Sequence, residues 1–123
     1  MIKLRLDSGK LRAWNGKEEE WATEAAAGWS PLEMMEGALA FCVAKSLKTV
    51  MSRNGMESDT LEILIQSKKA ESGASRVEQF QVQVTLSPDL SRDDQEKLLK
   101  QVAMICTIGN TLKRESQISY QLS

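Results

Sequence analysis

Ser30-Pro31-Leu32-Glu33-Met34-Met35-Glu36-Gly37-Ala38-Leu39-Ala40-Phe41-Cys42 opens a long helix, and its reading decides the fold. Ser30 is a capping residue, and Pro31 suits the first helical position, where its preset φ helps and its missing N–H costs nothing. Glu33 can reach back to the Ser30 amide and complete a capping box, while Trp29 and Met34 can close a hydrophobic staple around it. Met35, Leu39, Cys42, Val43, Leu47 and Val50 recur at steps of three and four, and Met34, Ala38 and Phe41 widen the apolar face. A helix this apolar should be buried on most sides. Asn54-Gly55 supplies a left-handed stop.

Towards the N-terminus, Ile2-Lys3-Leu4-Arg5-Leu6 alternates apolar and charged residues with the period of a half-buried strand. Asp7-Ser8-Gly9 is a turn, and Leu11-Arg12-Ala13-Trp14 resumes the alternation, so a hairpin is expected. Asn15-Gly16 is a second turn signal, Glu18-Glu19-Glu20 a solvated charge run, and Trp21 to Ala27 a candidate third strand. Towards the C-terminus, Leu61, Ile63 and Ile65, then Val82, Val84 and Leu86, define two strands joined across Gly73, with glutamines on a solvent-facing side. Ser91, with Asp94 three residues on, caps a second helix reaching about Ile105, with Leu98, Val102 and Ile105 as its buried stripe. Thr107-Ile108-Gly109-Asn110 reads as a turn, and Ile118, Tyr120 and Leu122 as a closing strand. The order ββ(β)αββαβ predicts an α+β fold with an antiparallel sheet, in a single domain over residues 1–123.

Composition narrows the function. Apolar residues make up 41% of the 123 and charged residues 27%, near the globular average, and no stretch approaches the length of a membrane span. The charges, 16 basic and 17 acidic, are interspersed and give no footprint for nucleic acid. Met1-Ile2-Lys3-Leu4-Arg5 lacks the apolar run of a secretory signal, so a cytoplasmic location and reduced thiols are expected. The chain has no histidine, which removes the usual general base, the Cys–His pair and the commonest zinc ligand together. No cofactor or metal is expected.

The remaining chemistry rests on two cysteines, Cys42 and Cys106. A cysteine in an apolar helix is most often core filler. Burial also raises a thiol's pKa, whereas only the thiolate attacks peroxides or disulfides, so a reactive Cys42 needs a nearby cation. Lys45 and Ser46 are its neighbours one turn on. Cys106 lies where the second helix ends, and the negative end of the helix dipole suits it less to attack than to resolve.

Ser30-Pro31-Leu32-Glu33, Gly37-Ala38-Leu39-Ala40-Phe41-Cys42, Cys106-Thr107-Ile108-Gly109-Asn110-Thr111-Leu112-Lys113-Arg114 and the closing Ser119-Tyr120-Gln121-Leu122 resemble the OsmC/Ohr family from about Trp29 onward. The resemblance implies an intertwined homodimer with two long central helices. It also implies a thiol peroxidase that reduces organic hydroperoxides in oxidative stress defence and is recycled by a small dithiol or thiol. By this likeness Cys42 is the peroxidatic cysteine and Cys106 the resolving one. The family's thiolate-stabilising arginine would be Arg12, with Glu33 orienting it, although helical geometry of about 100° per residue sets Glu33 opposite Cys42 and favours its capping role. The alternative expectation is a homodimeric member without peroxidase activity, whose apolar cleft near Cys42 binds a small hydrophobic or thiol ligand.

Overall fold

The computed structural model describes residues 1–17, 21 and 29–123. Strands β1 (Ile2–Asp7) and β2 (Lys10–Trp14) form the expected hairpin. Ser8 and Gly9, the two residues between them, have φ of 51° and 78°, the left-handed pair that matches a tight turn to the strand twist. Helix α1 (Pro31–Arg53) crosses the sheet, and β3 (Leu61–Lys69) and β4 (Val77–Leu86) form the second hairpin. The antiparallel sheet has the order β2-β1-β3-β4. Helices α2 (Arg92–Ile105) and α3 (Thr107–Lys113) complete the described elements. The third strand expected from Trp21 to Ala27 falls, apart from Trp21 itself, outside the described residues.

Register explains which face is which. Leu4 pairs with Ala13 and Ile63, and Ile63 with Val84, so apolar side chains line up across the sheet on the face that α1 covers. Ile2, Leu4, Ile63, Ile65 and, from α1, Leu47 have no exposed surface. Each such side chain contributes about 1.5–3 kcal/mol on burial. Lys3, Arg5, Arg12 and Glu62 alternate onto the opposite face.

Both ends of α1 follow their sequence signals. Ser30 Oγ accepts from Glu33 N at 3.1 Å while Ser30 N donates to Glu33 Oε1 at 3.0 Å. At the other end Gly55 N reaches Ser52 O at 3.2 Å and Met56 N reaches Met51 O at 2.8 Å, the paired bonds of a Schellman stop with Gly55 at φ 65°. Asn54 then ties α1 to α2 through Gln101 Oε1 at 2.8 Å.

Four expectations change. Met34 and Met35 remain 42% and 43% exposed, so within one chain α1 is buried along a broad face and not on most sides. The Trp29 ring lies over Gly37, where an added Cβ would stand 2.6 Å from Trp29 Cζ3. The buried stripe of α2 runs from Leu98 through Val102 to Cys106, one turn on from Val102, and leaves Ile105 40% exposed. Residues 107–113, read as a turn, are helical, and 115–123 form no strand. Among the described residues the closing segment has no ladder partner, and Ile118, Tyr120 and Leu122 stand exposed.

Gly37→Ala should therefore cost about 1–3 kcal/mol, the usual penalty for overpacking, because the buried Trp29 ring must shift. Urea melts of wild type and variant measure it, and coincident midpoints would contradict the packing.

Candidate functional site

Helix α1 turns one flank, with Leu39, Cys42, Val43 and Ser46, towards the joint between α2 and α3. Cys42 is half-buried and Cys106 buried, and both are free thiols. Cys106 occupies that joint, ending α2 and at the same time capping α3: its N–H reaches Val102 O at 2.9 Å, and its Sγ accepts from Gly109 N at 3.4 Å. The sequence reading assigned it only the unfavourable end of α2. Helix α3, hidden because Thr107-Ile108-Gly109-Asn110 is composed like a turn, supplies an opposing donor.

The two thiols lie close enough for the Cys42 side chain to act on Cys106 directly. Burial pushes the Cys106 thiol above its ordinary pKa; the Gly109 N–H pulls against this, Cys42 adds to it, and Ser46 again opposes it. Lys45, the cation nearest to Cys42 in sequence, is exposed.

An apolar cleft of about 210 Å³ adjoins Cys106. Leu39 and Val43 of α1, Val82 and Val84 of β4, and Leu99 and Val102 of α2 line it, with Cys106 in its wall and Lys113 as its charged residue.

The other sequence-derived site residues lie elsewhere. Arg12 is on the sheet face away from α1, 3.5 Å from Asp7 Oδ2, because strand alternation sends it outward while Ala13 points to the core. Arg5 shares that face, stacked over Trp21 at 4.1 Å, and Trp21 stacks on Trp14 at 5.8 Å between centroids. Arg12 is therefore not brought to Cys42 within the protomer. Glu33 is at the start of α1, 6% exposed, with Lys17 Nζ at 3.8 Å from Oε1. Another acidic residue of α1, Glu36, passed over in the sequence because a charge between apolar positions reads as surface, is 1% exposed. It accepts from Ser67 Oγ and from the Met1 amino group, both at 3.1 Å.

Bonding to the Ser30 amide holds the Glu33 carboxyl below the ordinary glutamate value of 4.5, with burial opposing and the Ser30 hydroxyl and Lys17 assisting. A depressed folded pKa means that this contact stabilises the fold above the unfolded value and fades as pH falls through the folded one. Glu33→Gln keeps the capping acceptor but removes the titration, so stability measured from pH 6 down to about 3 should depend less steeply on pH than in wild type. An unchanged slope would remove Glu33 from the acid response.

The model for OsmC-like proteins matches residues 23–121. The chain belongs to the OsmC-like protein family. Among solved structures, an OsmC-like hydroperoxide resistance protein from Jannaschia sp. CCS1 superposes with a TM-score of 0.75. The match covers 99% of this chain and 90% of that one at 18% identity, and shows a shared OsmC-like α+β fold. None of the curated proteins compared matches the chain. Thr107, directly after Cys106, holds the first position of α3. Among the described residues no helix is long and apolar enough to cross a membrane.

Proposed function

We propose that this OsmC-like protein reduces organic hydroperoxides in the cytoplasm with Cys42 as attacking thiol and Cys106 as resolving thiol. The observation that carries the reading is the meeting of the two free thiols between α1 and the α2–α3 joint. The Cys42 thiolate attacks the outer peroxide oxygen; the O–O bond breaks, the alcohol leaves, and Cys42 becomes a sulfenic acid. The Cys106 thiolate then attacks the Cys42 sulfur, expelling hydroxide that is protonated to water, and a disulfide forms. A small external dithiol returns both thiols by exchange. In this reading Glu33 fixes the start of the helix that carries Cys42, and Arg12 remains with Asp7.

The working form would be a homodimer. Met34, Met35, Leu99, Met104, Ile118, Tyr120 and Leu122 leave a broad apolar surface exposed, and among the described strands β4 is an unpaired edge of the sheet.

A second reading, a binding domain without peroxidase activity, is favoured by the apolar lining of the cleft and by the distance of Arg12 from the thiols. Turnover separates the two. With excess dithiothreitol, catalytic protein should consume an organic hydroperoxide well above the buffer rate; consumption equal to buffer favours the binding domain.

A further inference from the structure

The second thiol has a chemical problem that the first does not share. Cys106 is 3% exposed, and to attack Cys42 it must lose its proton in surroundings that oppose charge. Among the described residues, the charged and titratable groups facing it are the Cys42 thiol from α1 and, from α3, Lys113 along the cleft, while α2 and β4 present Leu99, Val102, Val82 and Val84.

We propose that Gly109 is the positioning residue of the second step: its backbone N–H aims the Cys106 sulfur at Cys42 and favours its ionised form. The proposal rests on the peroxidase reading for its biological purpose, though not for its chemistry. Three observations support it. The N–H of Gly109 points at Sγ from 3.4 Å, within range for a bond to sulfur. Cys106 is held in extended backbone, φ −72° and ψ 103°, where its side chain folds back onto the first turn of α3. Gly109 also packs closely against the sulfur and α1: a Cβ there would stand in contact with Sγ at 3.4 Å and Leu39 Cδ1 at 3.8 Å. Ser46, one turn beyond Cys42, adds a hydroxyl that also favours the charged sulfur.

A hydrogen bond to a charged acceptor is stronger than one to a neutral acceptor, so the Gly109 bond should be strongest in the thiolate. It should weaken once the sulfur becomes half of a disulfide, and the first turn of α3 should feel the oxidation state of the site.

The test reads closure of the disulfide without any peroxide. Dithiobisnitrobenzoate places an aromatic disulfide on Cys42, and attack by Cys106 then releases coloured thionitrobenzoate as the intramolecular disulfide forms. Ligation of residues 1–105 to a synthetic 106–123 at Cys106 allows the Ile108–Gly109 amide to become an ester, which replaces the N–H by an oxygen and weakens the Ile108 carbonyl as an acceptor. Closure should slow about tenfold relative to the ligated all-amide protein, the low end for a bond to a charged partner. Equal closure rates overturn the proposal, whether or not the protein reduces peroxides. If the ester protein does not fold, NMR of Cys42→Ser decides: the Gly109 amide proton should move downfield as Cys106 ionises with rising pH. A Gly109 signal indifferent to that titration overturns the proposal equally.

Discussion

If the proposed reaction holds, Cys42→Ser should abolish hydroperoxide reduction, with a loss of about a thousandfold or more, because a hydroxyl has neither the acidity nor the nucleophilicity of a thiolate. Cys106→Ser behaves differently. Its first step should survive, since in the proposed reaction Cys42 alone attacks the peroxide, but the product should stop at the sulfenic acid for want of a second thiol. Single-turnover kinetics with a trapping reagent for sulfenic acid should show a fast trapped species in Cys106→Ser and none in Cys42→Ser. Trapping in the Cys42 variant, or rapid disulfide formation in the Cys106 variant, would reverse the roles proposed for the two residues. The asymmetry follows from burial: Cys42 is half-buried, whereas Cys106 is buried in the wall of the apolar cleft.

Leu47→Ala should be the most destabilising of the substitutions considered, by about 2–5 kcal/mol. Leu47 has no exposed surface and lies at the middle of the α1 face that meets β1 and β3, in the same core as Ile2, Leu4, Ile63 and Ile65. Truncation there removes transferred surface and leaves a cavity that sheet and helix cannot close without disturbing each other. Urea denaturation gives the number, and a loss below about 1 kcal/mol would mean that the α1–sheet contact is looser than described. The functional consequence is indirect: α1 carries Cys42 on one flank and its packing residues on another, so a loosened α1 also loosens the approach to Cys106.

Elements whose patterns are local were legible in the sequence. The capping box at Ser30, the stop at Asn54-Gly55 and the alternation of Ile2-Lys3-Leu4-Arg5-Leu6 and Leu61 to Ile65 each state their structure within a few residues. What escaped was decided by partners. Thr107-Ile108-Gly109-Asn110 has turn composition but becomes a helix because Cys106 caps it and Asn110 N closes on Cys106 O at 2.9 Å. Ile118, Tyr120 and Leu122 have strand periodicity but no neighbouring strand among the described residues. Glu36 looks like surface and is buried because Ser67, distant in sequence, satisfies it. The two cysteines stood out by their rarity, and their juxtaposition is a tertiary fact. Arg12 had suitable chemistry, but alternation put it on the wrong face of the sheet for Cys42, a geometric consequence visible only once the register with Arg5 and Glu62 was fixed.

The central claim is that Cys42 and Cys106 form one redox couple, and mass mapping after a single equivalent of an organic hydroperoxide tests it most directly. Reduced protein is treated at pH 7, free thiols are blocked, and the digest is searched for a peptide containing Cys42 joined to one containing Cys106. The account predicts an intramolecular disulfide as the main product, with no free Cys42 remaining. Unmodified Cys42, or loss of both thiols without the cross-link, would contradict it.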